Sequence, residues 1–315
     1  MIRVENLSKS YGPVKAVRSI SFDLENGQVV GFLGANGAGK STTLKIMTGY
    51  ISPSAGNVYF NDHNIQDNTS EIQRDIGYLP ELNPLYGEMR VHDYLKFISE
   101  IRGIPREQFK SAFQKVVEEC ALNAVAHRTI GNCSKGYKQR IGLAAAMIHD
   151  PKILILDEPV SGLDPNQIVE IRQLIRKLGK EKIVIMSSHI LQEIQATVDR
   201  IIIINEGSIV ADGTSDSLLS DTNAKIELSM DIEHANENDI NDMKATIPSI
   251  GITSISKEET YTKINIEYSK NNDPRSDIFN YAVEKGWTVL EMYATKQNLE
   301  GIFRNLTSGS ESNNG

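Results

Sequence analysis

Residues 34–41 read GANGAGKS and match the pattern G-x-x-x-x-G-K-[ST]. The apolar segment QVVGFL at 28–33 predicts a buried strand before this loop, and a helix is predicted after it, from about Lys40 to Thr48. The glycines allow backbone N–H groups to point inward, and the start of a helix adds partial positive charge. This context predicts a phosphate-binding loop; the alternative is a flexible turn with an incidental lysine.

The side chains of this loop have distinct predicted roles. In such loops the lysine, here Lys40, reaches the β- and γ-phosphates of a nucleotide, and the following hydroxyl, here Ser41, binds Mg²⁺. The motif therefore predicts ATP and Mg²⁺ as ligands. The ATP-binding residues predicted in the loop and in the helix after it are Gly34, Asn36, Gly37, Ala38, Gly39, Lys40, Ser41 and Thr42.

A second motif, ILILDE at 153–158, complements the first. Its four apolar residues predict a strand deep in a sheet, which ends at Asp157 beside the phosphate loop. We expect Asp157 to hold Mg²⁺, directly or through water, and Glu158, which points differently, to polarise the attacking water as a catalytic residue. The alternative is that Asp-Glu-Pro only caps the next helix.

The composition restricts the class of protein. A chain of 315 residues is long enough for one large domain and a smaller one. A formal net charge of −8 argues against nucleic acid as the main partner, because phosphate backbones bind surfaces rich in Lys and Arg. Cys120 and Cys133 lie outside metal-ligand spacings, which predicts reduced thiols. No apolar run reaches the length of about 20 residues that a membrane span needs.

The order of patterns along the chain predicts two domains and a tail. Strand and helix patterns alternate up to about Gly213, which predicts a largely parallel sheet. Beyond it the pattern reads β-α-β-β-α-β, the ferredoxin-like plan, followed by an amphipathic stretch, LEGIFRNLT, and a polar tail. The predicted segments are a first domain at 1–215, its helical subdomain at about 82–135, a small α+β accessory domain at 216–307 and a disordered tail at 308–315.

Four further segments carry a resemblance to a known family. CSKGYKQR occupies 133–140 between the two phosphate motifs, and SGLD follows at 161–164. His189 comes directly after the predicted strand KIVIMSS, and Tyr11 lies well before the phosphate loop. Together with the two phosphate motifs and the segment around Glu81, these segments resemble the A-loop, Walker A, Q-loop, signature, Walker B, D-loop and H-loop of the ATP-binding cassette (ABC) ATPases, over about residues 1–215.

The resemblance implies a fold and an assembly. The expected fold is α/β: a P-loop ABC ATPase domain with a mixed sheet core, an antiparallel β-subdomain and an α-helical subdomain, followed by the ferredoxin-like domain. Two cassettes, identical or pseudo-symmetric, are expected to pack head to tail, with each ATP between one chain's phosphate loop and the other chain's signature. ATP is then part of the dimer interface, and its hydrolysis removes a contact that keeps the dimer closed.

The resemblance also implies roles for residues outside the phosphate motifs. Tyr11 would stack on adenine, the catalytic His189 would contact the γ-phosphate and help to hold the attacking water, and Asp164 would bridge to the other subunit. The respective alternatives are a surface tyrosine, a structural histidine and a plain helix cap. The signature residues expected to face the partner's ATP are Ser134, Lys135, Gly136 and Tyr137.

Two segments depart from the usual family pattern. In the signature, usually LSGGQ, Cys133, Lys135 and Tyr137 replace Leu, Gly and Gln, and Lys135 adds a positive charge near the phosphates. In the Q-loop, Glu81 stands where glutamine is usual. As a carboxylate Glu81 is a candidate additional Mg²⁺ ligand; the alternative is that it faces solvent or a membrane partner.

The segment GYLPELNPLY at 77–86, the CSKGY signature and the C-terminal appendage resemble the gliding-motility-associated subfamily of bacterial ABC subunits. The resemblance implies an ATPase on the cytoplasmic face of the cell membrane that powers integral membrane permease subunits through the segment around 81–103. Two alternatives stay open: a soluble ABC ATPase acting on nucleic acid or ribosomes, and a regulatory assembly subunit without transport. The cargo, the direction of transport and the role of residues 216–315 also stay open.

Overall fold

The computed structural model describes residues 1–220, 225–269, 272–295, 299–301 and 303. The chain forms two compact units, one from Met1 to Ser215 and a second that begins at Asp216. The tail predicted at 308–315 and most of the amphipathic stretch predicted at 299–307 lie outside the described residues.

An antiparallel sheet of four strands opens the first unit. In spatial order its strands are β2 (Val14–Leu24), β1 (Ile2–Tyr11), β4 (Ala55–Phe60) and β5 (His63–Asn64). Apolar residues such as Ile2, Val4 and Leu7 alternate with exposed positions along β1. Strands β4 and β5 have no counterpart in the sequence analysis, because Gly56 and Asn57 interrupt the alternation there.

A mixed sheet of six strands forms the centre of the first unit. In spatial order its strands are β10 (Ser208–Gly213), β9 (Arg200–Asn205), β3 (Val29–Leu33), β8 (Ile183–Ser188), β7 (Ile153–Asp157) and β6 (Ile76–Leu79). Neighbouring strands are parallel except β9 and β10. Every residue of β3, β7 and β8 is buried, as expected of parallel strands covered on both faces.

Helices connect these strands. They are α1 (Lys40–Met47), α2 (Thr69–Ile72), α3 (Val91–Ile101), α4 (Arg106–Glu119), α5 (Lys135–Met147), α6 (Pro165–Gly179) and α7 (Leu191–Gln195), with 3₁₀ turns at Gln73–Asp75 and Ile130–Asn132. Helices α3 and α4 are separate because Gly103, with a φ of 74°, follows α3 and Pro105 is the N-cap of α4. Within the described ranges, no helix is both long and apolar enough to cross a membrane.

The second unit is a ferredoxin-like α+β fold. After α8 (Ser215–Ser220), which spans the boundary, its elements are β11 (Lys225–Glu233), α9 (Glu237–Thr246), β12 (Ile250–Lys257), β13 (Thr262–Ser269), α10 (Arg275–Glu284) and β14 (Thr288–Thr295). The strands are antiparallel and lie in the order β12-β13-β11-β14. Alternate residues of β11, Leu228, Met230 and Ile232, are fully buried in a core that also contains Ile278 and Tyr281 of α10.

Candidate active site

The carboxyl ends of three adjacent parallel strands meet at one edge of the central sheet. The phosphate loop follows β3, Asp157 ends β7 and His189 follows β8, and β8 lies between the other two. Ligands in open parallel sheets bind at this kind of edge. The fold therefore brings the two phosphate motifs and the H-loop histidine together.

Lys40 is held inside the phosphate loop. Its Nζ donates to the carbonyl oxygens of Gly34, at 2.8 Å, and Ala35, at 3.1 Å, and lies 3.9 Å from Glu158 Oε1. Burial lowers the pKa of Lys40, and the negative charges of Glu158 and Asp157 oppose this. A buried ammonium held by loop carbonyl oxygens can exchange these acceptors for phosphate oxygens, as the phosphate motif predicts.

The loop is supported from behind by strand β2 and by the turn between β9 and β10. Gly39 has a φ of 106°, and a Cβ there would lie 2.5 Å from the carbonyl oxygen of Ala16, so that only glycine fits. The N–H of Gly207 donates to the carbonyl oxygen of Ala38 at 2.9 Å. These contacts fix the backbone that precedes α1, while Asn36 and Gly37 form its exposed tip.

Asp157 lies within hydrogen-bonding distance of two hydroxyls. Ser41 Oγ donates to Asp157 Oδ1 at 3.1 Å, and Ser187 Oγ donates to the same oxygen at 2.6 Å. A hydroxyl and a carboxylate are the hard oxygen ligands that Mg²⁺ prefers. Among the described residues, no group of three or more His, Cys, Asp or Glu side chains could hold a metal ion. A metal at Ser41 and Asp157 would therefore need phosphate oxygens or water to complete its shell.

Glu158 is a buried carboxylate in contact with His189. Its two oxygens lie 3.0 and 3.1 Å from His189 Nδ1, and the histidine side chain is 43% exposed. Burial raises the pKa of Glu158, while His189 and Lys40 act in the opposite direction. Helix α6 begins only at Pro165, so the Asp-Glu-Pro sequence does not cap it. The carboxylate can accept a proton from a water at this edge, and the histidine orients it.

Tyr11 and Glu81 lie at more open positions. Tyr11 is 49% exposed at the end of β1, and the Lys9 ammonium lies 5.3 Å from the centre of its ring. Glu81 is exposed, yet its charge reaches two buried groups. Burial lowers the pKa of Lys40 and raises the pKa of Tyr78; the charge of Glu81 opposes the first shift and adds to the second. Glu81 is therefore within electrostatic reach of the phosphate loop. The roles of Tyr11 with adenine and of Glu81 with Mg²⁺ stay predictions.

The signature segment and the D-loop lie against each other in the same chain. Ser134 is the N-cap of α5, and its Oγ accepts a hydrogen bond from the N–H of Tyr137 at 3.3 Å. The Lys135 side chain lies over Gly162, where a Cβ would collide with its Nζ. Within the described ranges, no hydrogen bond or ion pair joins Ser134, Lys135 or Tyr137 to the phosphate loop of the same chain.

Asp164 caps α6, so the helix-cap alternative describes its local role. It accepts from the N–H of Gln167 at 2.9 Å, and Gln167 Oε1 accepts from the N–H of Asp164 at 3.4 Å, which forms a capping box. The amide of Gln167 also lies over Gly136, where a Cβ would collide with it. The cap thus joins the D-loop to the signature helix, and a bridge from Asp164 to another subunit stays a prediction.

Sequence reasoning missed Ser187, whose hydroxyl contacts both Asp157 and the backbone of Glu158. The available signal is a polar residue inside the otherwise apolar strand KIVIM-Ser-Ser, two positions before His189. The register of β7 and β8, which places Ser187 opposite Asp157, is a tertiary fact that the sequence does not contain.

Comparison with known proteins assigns the chain to a family. A family model described as ABC transporter matches residues 17–161. The bacitracin transport ATP-binding protein of Bacillus licheniformis is 32% identical over 311 residues, which cover 98% of this chain and 98% of that protein. The chain belongs to the ATP-binding subunits of ABC transporters. The ABC subunit binds ATP and hydrolyses it.

Two further proteins are similar to about two thirds of this chain. ABC transporter A family member 1 of Dictyostelium discoideum is 36% identical over 221 residues, which are 68% of the ABC subunit but only 25% of that longer protein. A solved ATP-binding subunit of an ABC transporter matches with a TM-score of 0.64 at 28% identity, covering 69% of the ABC subunit and 91% of that chain. These results confirm the predicted ABC ATPase fold. None of these names refers to gliding motility, so the subfamily stays a prediction.

Proposed function

We propose that the ABC subunit is the Mg²⁺-dependent motor of a bacterial membrane transporter, and that ATP binding closes it against a second cassette. The observation that carries the proposal is the convergence of Lys40, Asp157, Glu158 and His189 at one edge of the sheet. Bound Mg²⁺ would neutralise phosphate charge and help to orient the transferred group.

Each side chain at this edge has a separate task. Lys40 exchanges its bonds to loop carbonyls for bonds to the β- and γ-phosphates, while Ser41 and Asp157 hold the metal ion. Glu158 accepts a proton from the attacking water, and the burial that raises its pKa makes it a stronger base. His189 keeps the carboxylate oriented through its Nδ1.

The exposed start of α5 supports a second cassette as partner. Ser134 and Lys135 are exposed, and the first turn of this helix carries no acidic residue. A helix N-terminus with an added ammonium attracts phosphate. We therefore assign the signature to the ATP of the other cassette, with Asp164 of the D-loop beside it; the partner is a second copy or a pseudo-symmetric paralogue.

An aromatic patch, defined as Tyr86, Tyr94 and Phe97, supports contact with membrane subunits. The ring of Tyr86 lies 6.0 Å from that of Tyr94 and 5.8 Å from that of Phe97, measured between centres. Tyr86 is 55% exposed and Phe97 is 37% exposed, which leaves apolar surface for a partner. The patch follows Glu81 by five residues, so a permease segment bound there would sense the Q-loop at the cytoplasmic face of the membrane.

The cargo is the least constrained part of the proposal. The relative aligned from end to end is named for bacitracin transport, which favours an antibiotic-like compound as the cargo carried by the permease subunits. The resemblance to gliding-motility subunits is the competing prediction. Neither version includes nucleic acid as a partner, in keeping with a net charge of −8.

Purification from membranes tests the proposal. Tagged full-length protein, isolated from detergent-solubilised cells, should carry an integral membrane protein that raises its ATPase rate. A variant with Tyr86→Ser and Phe97→Ser should lose this partner, whereas Phe279→Ser, which removes an aromatic ring that is 49% exposed in the second unit, should keep it. Recovery with ribosomes or nucleic acid, and without any membrane protein, would contradict the proposal.

A further inference from the structure

Ser187 occupies an unusual position in the central sheet. It lies near the carboxyl end of β8, its side chain is fully buried, and the strand register places it opposite Asp157. The remaining residues of β8 before it are apolar. A buried hydroxyl in such a strand must find hydrogen-bond partners, and here both partners belong to the candidate active site.

One oxygen atom of Ser187 joins two functional groups. Its hydroxyl donates to Asp157 Oδ1 at 2.6 Å and accepts from the N–H of Glu158 at 3.0 Å. A serine hydroxyl has a single proton, so the bond to Asp157 uses its donor capacity and a lone pair receives the Glu158 N–H. The orientation of the Asp157 carboxylate and the position of the Glu158 backbone are therefore linked.

The backbone of Glu158 needs this support. Its φ of 51° lies in the left-handed region, which is unfavourable for a residue with a Cβ. Ser187 binds its N–H, and the Gln139 amide approaches its carbonyl oxygen at 3.5 Å. Without the Ser187 hydroxyl, the Glu158 N–H would be left unpaired in a buried position, and the carboxylate would lose its fixed relation to His189.

The neighbouring serine shows that this arrangement is specific to one face of the strand. Ser188 is equally buried, but its hydroxyl donates to Glu193 Oε2 at 2.6 Å and accepts from the N–H of Ile190 at 3.0 Å. These groups lie at the start of α7. Successive side chains of a strand point to opposite faces, so only Ser187 reaches the Asp157-Glu158 pair.

We propose that Ser187 is a positioning residue for ATP hydrolysis, which orients the Asp157 carboxylate toward the metal ion and fixes the backbone of the base Glu158. The part that concerns the metal ion rests on the proposed function, in which Asp157 binds Mg²⁺. Ser187 itself exchanges no proton with the substrate, since its proton stays on the bond to Asp157.

Substitution of the hydroxyl tests the proposal in the full-length protein. Ser187→Ala should lower kcat about 10- to 100-fold, the range for a lost hydrogen bond to a charged group. Calorimetry should show an unchanged affinity for ATP in EDTA but a smaller gain in affinity on adding Mg²⁺. Ser187→Thr retains the hydroxyl and should restore kcat; Ser187→Cys, close to serine in size but a weaker donor, should be intermediate and replaces Thr if the added methyl prevents folding.

Ser99→Ala is the matched control. Ser99 is 1% exposed on α3, and its hydroxyl donates to the carbonyl oxygen of Lys96 at 2.7 Å, far along the chain from the phosphate motifs. Ser99→Ala should lower the melting temperature without changing kcat or the response of ATP affinity to Mg²⁺. Wild-type kcat and Mg²⁺ response in Ser187→Ala would overturn the proposal, and so would equal losses of activity in the two alanine variants at equal thermal stability.

The proposed metal site is tested separately by the wild type. An ATP affinity that does not respond to Mg²⁺ in the wild type contradicts the Mg²⁺ part of the proposed function. The role of the hydrogen bond between Ser187 and the Glu158 backbone is then tested by kcat alone. The proposal still requires a lower kcat for Ser187→Ala than for Ser99→Ala.

Discussion

The two units of the ABC subunit differ in what they bury. The first unit buries Lys40, Asp157 and Glu158 next to one another, whereas the buried polar residues of the second unit, among those described, are the uncharged Ser229 and Thr262. Burying charge costs stability unless the charges are paired or meet a ligand. A cluster of this kind at a sheet edge is typical of a site that performs chemistry.

The largest effect is expected from a substitution in the first unit that blocks the hydrolysis step. Glu158→Gln should slow hydrolysis by about 10²–10⁴-fold, the range for a lost general base, while Mg·ATP binding remains. It should also trap an ATP-bound dimer, because hydrolysis no longer removes the contact that closes it. Single-turnover kinetics and gel filtration with Mg·ATP measure the two parts. Turnover at the wild-type rate together with a monomer-only elution would contradict both.

The next effect concerns binding. Lys40→Ala should abolish tight ATP binding, with a loss of about 100-fold or more, since it removes charge-assisted bonds to the phosphates. Lys45→Ala, in the last turn of the same helix α1, is the control and should bind as the wild type does. Calorimetry with Mg·ATP decides between them. Equal affinities for the two variants would show that the buried ammonium has no role in binding.

The sequence predicted the candidate phosphate and metal residues of the first unit, but not the side chains that hold them in place. GANGAGKS and ILILDE predict which side chains would meet phosphate and metal, because backbone geometry at a strand–loop–helix junction is local. Ser187 and the Gln167 cap over Gly136 depend on strand register and on helix packing, which no local pattern encodes. For the second unit, the succession of six strand and helix patterns after Gly213 predicted the ferredoxin-like order, which the structure has.

Low pH should reduce the free energy of unfolding of the first unit through protonation of His149. Burial, reinforced by nearby Arg102, lowers the pKa of His149 to about 4, and its Nε2 lies 3.1 Å from the carbonyl oxygen of Ile76. The ordinary histidine pKa is about 6.5, so between these values the unfolded chain binds a proton that the folded chain does not. Stability is present above pH 6.5 and is lost as the pH falls toward 4.

Urea unfolding at several pH values measures this effect. The expected loss is about 1–2 kcal/mol by pH 4, reduced from the full linkage value because the ring is partly exposed. His149→Gln should flatten the pH dependence between pH 6.5 and 4. The single histidine of the second unit, His234, is exposed and serves as the control in His234→Gln. An unchanged profile in His149→Gln would assign the acid sensitivity to other groups.

A smaller effect is expected at Glu81. If its carboxylate faces Mg²⁺, it also repels the γ-phosphate, and unit charges 4 Å apart interact by about 4 kcal/mol at an effective dielectric near 20. Glu81→Gln should then keep activity and shift the Mg²⁺ concentration that gives the half-maximal rate. The alternative, in which Glu81 serves the membrane partner, changes only partner-stimulated turnover. An ATPase titration against free Mg²⁺, with and without the partner, distinguishes the two roles. If wild type and Glu81→Gln give identical curves under both conditions, Glu81 has neither role.

The smallest effect is expected from removing the second unit. Every residue of the candidate site precedes Ile190, the first unit is compact up to Ser215, and the central hydrophobic core draws on no residue beyond Ile209. A chain ending at 215 should therefore fold and bind Mg·ATP with unchanged affinity. Circular dichroism establishes folding, and calorimetry measures affinity. A folded, truncated protein that has lost ATP binding would mean that the second unit completes the nucleotide site, and the division of labour between the two units would be wrong.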